Sequence, residues 1–236
     1  MLVGETVAAE APHPRGAACG IAERVDGRRL IAAQAHGKNL LLTFEDGLVV
    51  RSHLGMHGRW RVQPRGAAVR GRPWLVLRGS SREAVLWSGS VLEVARRAPY
   101  PASPDILGVP PALERMAANL RRLDQSTTIG EALLDQRAIA GIGNVWRAEA
   151  LWHARISPLL PLAETTEAEL RAVLEVAARL MRDALESRPG PRAVYRRSGR
   201  ACRRCGERIR ARGVGEQNRT AYWCPGCQRG KVTGAA

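Results

Sequence analysis

Two cysteine pairs near the end of the chain constrain it more than any other feature. Cys202-Arg-Arg-Cys205 comes first, and residues 206–223 separate it from Cys224-Pro-Gly-Cys227. A C-x2-C turn aims both sulfurs at one point, and two such turns at this separation complete a tetrahedral four-thiolate shell for one structural zinc ion. The other use of four cysteines is a pair of disulfides in an exported module. Nothing else supports export: the first twenty residues have no basic start followed by an apolar core, and Cys19 has no partner in sequence. From Arg192 onward the acidic residues are Glu207 and Glu216 alone, in a segment dense with arginine and sparse in large apolar side chains. A metal would hold such a segment together where an apolar core is too small to do so. A metal-stapled hairpin coated in guanidinium groups is a polyanion-binding device.

The whole chain has the same bias. Its 236 residues carry 37 Lys and Arg against 22 Asp and Glu, a formal net charge of +15. That balance points to a phosphate-rich partner and to binding that weakens with salt through counterion release. A membrane is not indicated, because there is no long apolar run and no basic amphipathic helix with an aromatic face. The expected location is cytoplasmic and reducing.

Residues up to about Val94 read as β-structure. Leu40 to Phe44 and Leu48 to Val50 flank Glu45-Asp46-Gly47, a strong hairpin signal. Further strands are expected at Trp60 to Val62, Trp74 to Leu77, Val85 to Trp87 and Val91 to Val94, with an opening strand over Gly4 to Glu10. Short strands at this spacing argue for a sandwich or barrel-like domain over 1–97. A proline-rich stretch over 98–111 reads as a linker. The pattern then becomes helical over 112–194. Leu113, Met116, Ala117, Leu120 and Leu123 share a face. Thr128-Ile-Gly-Glu131 and Thr166-Glu-Ala-Glu169 have the form of capping boxes. The first is followed by Ala132, Leu133, Gln136 and Ile139. The second opens an amphipathic helix through Leu170, Val173, Leu174, Ala177, Leu180, Met181 and Leu185.

Between these helices, Gly141-Ile142-Gly143-Asn144 makes a tight turn that lets backbone approach a ligand closely. Asn144 is expected to cap a helix starting at Val145, whose free N–H groups would face an anion. Alone, Gly-x-Gly-Asn also fits an ordinary helix end followed by an ordinary helix start.

Taken together, the chain resembles the formamidopyrimidine-DNA glycosylase and endonuclease VIII family of DNA repair enzymes. Ile129 to Arg147 is similar to the family's helix–two-turn–helix motif, and Val194 to Gln228 to its zinc finger. Gly37-Lys38-Asn39-Leu40-Leu41-Leu42 and Ser52-His53-Leu54-Gly55-Met56 resemble its β-domain hairpin and lesion-probing loop. The likeness implies an α+β multidomain fold: an N-terminal β-sandwich, a central helix–two-turn–helix domain and a four-cysteine zinc finger over 195–230. It implies a monomer acting on double-stranded DNA with damaged bases or abasic sites, held in a cleft between the first two domains, with one structural zinc on Cys202, Cys205, Cys224 and Cys227. Asn144 would bind the phosphate beside the damaged nucleotide. Lys38 would hold the other side of that phosphodiester and assist proton transfer in strand cleavage; a solvated hairpin lysine is its ordinary reading. Arg219 would grip phosphates from the tip of the zinc hairpin and assist the second elimination, or is one more member of a basic coat. Met56 would wedge into the stack vacated by a flipped base, or is a core methionine. An overall look nearer to endonuclease VIII implies oxidised pyrimidines over oxidised purines.

The resemblance departs at two places. Arg196 stands where the family has glycine. The family's catalytic amine is an N-terminal proline followed by glutamate, whereas this chain opens Met1-Leu2-Val3-Gly4-Glu5. Setting Gly4 to Gly16 against the strand and loop that follow the family's first helix accounts best for the short distance to Lys38. On that alignment the helix with the nucleophile is not represented, and the expectation is an enzyme fragment of low activity or a silent damaged-DNA binder.

Overall fold

A computed structural model describes residues 2–96, 103–187 and 190–228, which fall into two compact units, one ending at Tyr100 and one beginning at Pro101. The first unit is a sandwich of two four-stranded antiparallel sheets. Its strands are β1 (Ala8–Glu10), β2 (Leu30–His36), β3 (Asn39–Phe44), β4 (Val49–His53), β5 (Arg59–Pro64), β6 (Leu75–Arg78), β7 (Arg82–Trp87) and β8 (Val91–Ala95). One sheet runs β1-β6-β7-β5 and the other β2-β3-β4-β8. Alternation on β3 and β4 sends Leu42, Phe44 and Val50 inward, where they meet Leu75, Leu77 and Leu86 of the facing sheet. The β3–β4 hairpin turns at Asp46 and Gly47, both at positive φ (62° and 72°), the conformation an Asp-Gly pair supplies at least cost.

The strands expected from sequence are all present, and the opening one is confined to Ala8–Glu10. The sequence reading passed over β2 and two short helices, α1 (Pro14–Ala17) and α2 (Ile21–Val25). The strand Leu-Ile-Ala-Ala-Gln-Ala-His lies at a sheet edge with most of its side chains exposed, so no burial pattern marked it.

The second unit contains α3 (Leu113–Arg121), α4 (Ile129–Ala132), α5 (Asn144–Ala154), α6 (Glu167–Glu186) and a hairpin of β9 (Arg210–Val214) with β10 (Arg219–Trp223). Met116, Leu120, Ile129, Leu133, Ile139, Ile142, Leu151 and Leu174 form its main core. The Thr166 box is complete: its hydroxyl accepts from the Glu169 N–H at 3.2 Å and its own N–H donates to the Glu169 carboxylate at 2.8 Å. The helix it opens has the expected length, although Leu185 in the last turn is exposed. The Thr128 box opens only one turn, because α4 stops at Ala132 and the chain carries Ile139 into the core from a loop.

Two boundaries differ from expectation. Of the expected linker, 98–102 lies outside the described residues, while Ser103 to Ile106 belongs to the helical unit. Ile106 is fully buried, its N–H donates to the Ala140 carbonyl (3.0 Å), and the Ala140 N–H donates to Pro104 (2.9 Å). The cysteine hairpin is also not a separate module. Ala148 and Trp152 of α5 share a core with Val194, Cys202, Ile209 and Cys224, and Leu159 packs with Val214, Ala221 and Trp223. The sparse apolar side chains of this segment suffice because α5 supplies the other half of the core.

Glu149 of α5 fixes the approach to the hairpin. Its buried carboxylate accepts the N–H groups of Ala193 (2.8 Å), Val194 (3.1 Å) and Tyr195 (2.9 Å). Removing the acceptor would strand three donors, two of them buried, at a cost of about 3 kcal/mol. Glu149→Ala is therefore expected to lower the urea midpoint of tryptophan fluorescence; an unchanged midpoint would show that this carboxylate carries no stability.

Candidate nucleic-acid interface

The glycine turn is built by Gln136. Its side-chain amide donates to the carbonyls of Leu134 and Ile142, each at 3.0 Å, and its carbonyl accepts the Gly141 N–H at 3.1 Å. Gly141 sits at φ 108°, where a side chain would be strained, so the turn depends on glycine there. Gly143, not Asn144, is the N-cap of α5, with extended backbone (φ −116°, ψ 177°) and no side chain to cap with. This corrects the expected role of Asn144, which is the first helical residue. The N–H groups of the first turn lack intrahelical partners, and the positive end of the helix dipole lies with them.

The Asn144 side chain is used elsewhere. Its Nδ2 donates to the Thr220 carbonyl of β10 at 3.1 Å, and its buried Oδ1 has no partner among the described residues. Arg147, one turn along α5, reaches the same carbonyl with a terminal nitrogen at 2.7 Å, and also the carbonyl of Arg219 (3.5 Å) and, from α4, that of Gly130 (3.3 Å). Only 1% of Arg147 is exposed. Burial pulls its guanidinium down to about 10, and the nearby Arg219 charge pushes in the same direction, so the group remains cationic at neutral pH. The Arg219 side chain is exposed at the start of β10, its Nε held by Gln217 Oε1 at 3.2 Å. The structure thus brings Asn144 and Arg219 together. Sequence reasoning assigned Arg147 no role; an arginine inside the apolar run of α5 was the available signal.

All four sulfurs of Cys202, Cys205, Cys224 and Cys227 lie within 4.8 Å of one another. Cys202 and Cys227 are 3.8 Å apart, and Cys205 and Cys224 are 3.4 Å apart. A tetrahedral thiolate shell with metal–sulfur bonds of about 2.3 Å has sulfurs about 3.8 Å apart, so the cluster fits a metal ion. None of these separations is the bonded distance of about 2.05 Å, and all four thiols are free. The disulfide alternative does not apply.

In the first unit, Lys38 lies in the tight turn from β2 to β3, beside Gly37 at φ 56°. Register pairs Asn39 with His53, which sets the turn next to the end of β4. His53 Nδ1 accepts the Gly55 N–H at 3.1 Å and lies 2.6 Å from Ser90 Oγ. A neutral ring with Nδ1 as acceptor carries its proton on Nε2. Burial first, then the charges of Lys38 and Arg51, hold this histidine below its ordinary pKa. The sequence reading left His53 out, and its place beside Lys38 follows from strand register. Met56 is 88% exposed, which rules out the core reading. The loop that presents it is fixed by glycines: Gly55 sits at φ 62°, and a Cβ on Gly58 would overlap the carbonyls of Leu54 and Ser88.

Residues 2–86 match the model of the formamidopyrimidine-DNA glycosylase N-terminal domain, and residues 107–192 match that of the formamidopyrimidine-DNA glycosylase H2TH domain. A "Probable endonuclease 8 2" of Streptomyces coelicolor is 38% identical over 224 residues, covering 86% of this chain and 80% of the relative. A formamidopyrimidine-DNA glycosylase of Methylococcus capsulatus is 32% identical over 241 residues, covering 89% and 85%. The Lactococcus lactis formamidopyrimidine-DNA glycosylase, solved non-covalently bound to DNA containing an abasic site, superposes with a TM-score of 0.82 at 22% identity, over 97% of this chain and 94% of that one. That likeness is one of fold. The agreement of both domain models with the curated relatives places this chain in the formamidopyrimidine-DNA glycosylase and endonuclease VIII family of base-excision-repair DNA glycosylases.

Proposed function

We propose that this chain acts as a monomer on duplex DNA, excising oxidised bases and cleaving the strand at the resulting abasic site by β- and then δ-elimination. The observation that carries the reading is the shared Thr220 carbonyl, which ties Asn144 at the positive end of α5 to the strand that starts with Arg219. A phosphate beside the lesion would meet the first-turn N–H groups of α5 and the Asn144 amide, with the Arg219 fork as a second, permanently charged grip. Met56, exposed on a glycine-fixed loop, has the shape and polarity to fill the gap left by a flipped base. Lys38 would hold the neighbouring phosphate and serve as proton carrier in the eliminations. In these, an amine attacks C1′ and displaces the base, the imine so formed acidifies C2′–H, loss of that proton expels the 3′ phosphate, and loss of the C4′ proton then expels the 5′ phosphate. Oxidised pyrimidines are the preferred lesion on this reading, in keeping with the identity to the endonuclease 8 relative.

Zinc is the metal this donor set favours, since four thiolates in a tetrahedron make a closed structural site. Cys202, Cys205, Cys224 and Cys227 would hold it, and its part is to fix the hairpin that carries Arg219.

A second reading, a homologue that binds damaged DNA without the chemistry, is favoured by one observation. Lys38 is the sole side-chain amine among the described residues, and on this reading it is given to phosphate rather than to attack at C1′. Borohydride reduction on an abasic-site duplex separates the two. A covalent protein–DNA adduct is expected for the lyase, with strand cleavage reduced in Lys38→Ala while binding persists. Tight, salt-sensitive binding with no adduct would establish the silent binder instead.

Two further outcomes test the phosphate grip. Asn144→Ala and Arg219→Ala should each weaken abasic-duplex binding by about 2 kcal/mol, roughly thirtyfold, in fluorescence anisotropy. Arg147→Met, which touches no phosphate on this reading, should weaken it comparably by releasing β10; full affinity in that variant would detach Arg147 from the site. Metal analysis should return one zinc per chain, and strong chelation should lower both the thermal midpoint and DNA affinity. Purified protein that binds DNA with full affinity and contains no metal would overturn the zinc assignment.

A further inference from the structure

Outside the residues just assigned, the first unit has a recess of about 480 Å³ lined by His13, Arg15, Arg72, Trp74, Trp87 and Ser88. Its walls are fixed. The segment that carries His13 is pinned to the start of β6 by the His13 N–H on the Pro73 carbonyl (3.0 Å) and by Arg72 Nε on the Pro12 carbonyl (3.3 Å). Gly16 lies so close that a Cβ there would overlap the Trp74 carbonyl. The Trp87 indole N–H donates to the Arg70 carbonyl at 2.8 Å, which sets the ring's orientation. Both indoles remain half-buried.

The electrostatics of the recess are one-sided. Arg15 and Arg72 line it, and the Arg59 guanidinium lies 4.6 Å from the centre of the Trp87 ring. No carboxylate pairs with any of these three arginines among the described residues. Half-exposed aromatic rings interleaved with unpaired guanidinium groups are the elements that bind unpaired nucleic acid: the rings stack bases and the cations track the backbone. Bases within a duplex have both faces stacked and cannot use such a platform. The recess also adjoins the loop of Met56, since Gly58 is packed against the Ser88 carbonyl and Arg59 follows it directly. A side chain wedged into a helix leaves unstacked bases nearby, which is the form of DNA this platform suits.

We propose that the recess is a subsite for one unstacked base of a single-stranded DNA segment, with the base against the indoles and its flanking phosphates on Arg15 and Arg72. The inference takes from the proposed function that the polymer is DNA and that Met56 enters its stack; the stacking and charge of the recess stand without either.

The probe is a short fluorescein-labelled oligothymidylate, titrated into the full chain with anisotropy and tryptophan quenching as readouts. An abasic-site duplex is measured in parallel. In the Arg15→Ser/Arg72→Ser double variant, oligothymidylate affinity should fall about tenfold. The slope of log affinity against log salt should become shallower by about 1.4, the value for two phosphate contacts on a single strand. Abasic-duplex affinity should stay within about twofold. Arg72→Ser also removes the bond to Pro12, so Arg15→Ser alone provides the second measure, with a slope change of about 0.7. Trp87→Leu should abolish most of the quenching. Unchanged oligothymidylate affinity and slope in the arginine variants would overturn the subsite, as would a parallel loss of oligothymidylate and duplex binding. A wild-type chain that ignores the abasic duplex while the oligothymidylate results stand would sink the proposed function and leave the subsite in place.

Discussion

The arrangement of the helical unit depends on a guanidinium with almost no access to water. Arg147 sits between α4, α5 and β10, and every acceptor it uses is a backbone carbonyl: Gly130, Arg219 and Thr220. Taking such a charge out of water costs several kcal/mol, and carbonyl dipoles offset that only if each is held at hydrogen-bond distance. The requirement acts in both directions. The carbonyls keep the cation buried, and the cation fixes three chain segments at one spacing. Since Asn144 shares the Thr220 carbonyl, the position of a helix start relative to a hairpin start is set by one oxygen with two donors.

The four-cysteine cluster works on the same hairpin from its other end. Two strands of five residues cannot hold themselves together in water, and the apolar side chains available, Ile209, Val214, Ala221 and Trp223, are few. Four sulfurs drawn to within 4.8 Å close the open end of the hairpin, and Glu149 ties the chain that enters it to α5. Arg219 therefore projects from a strand fixed by sulfur at one end and by Arg147 at the other. An exposed arginine on a loose hairpin would lose side-chain and backbone freedom on meeting a phosphate; on this one much of that cost is already met in folding.

How much of this was legible in the sequence depended on the kind of signal. The sulfur spacing, the Thr166 box and the Asp46-Gly47 turn each rest on local chemistry, and each appears in the structure where expected. Strand β2 was silent because an edge strand of alanines buries little. Asn144 looked like a cap, since asparagine before a helix usually is one, but a carbonyl on a hairpin 76 residues away holds its amide. Arg147 and Glu149 were missed for the same reason: a charge inside an apolar helix announces burial, but its partners come from distant parts of the chain. The exposure of Met56 could not be read from its neighbours either, because an apolar residue after a strand fits a core as well as a loop tip.

The choice of cation separates two tasks within the chain. Of its 37 basic residues only Lys38 and Lys231 are lysines. Arginine stays protonated across the whole physiological range and offers a planar fork to phosphate oxygens, so it binds a polyanion without exposing a nucleophile or a base. A lysine amine can give up its proton, form an imine or carry a proton between oxygens, and a surface crowded with such amines would invite adducts with every aldehyde at an open abasic site. Arginine stands at the hairpin tip, under α5 and around the indoles, and one lysine stands on the β2–β3 turn, so nearly all of the positive charge is carried by groups that do not act as nucleophiles. In the first unit the single lysine lies beside the ring of His53, whose pKa is held below its ordinary value by burial first and then by the charges of Lys38 and Arg51.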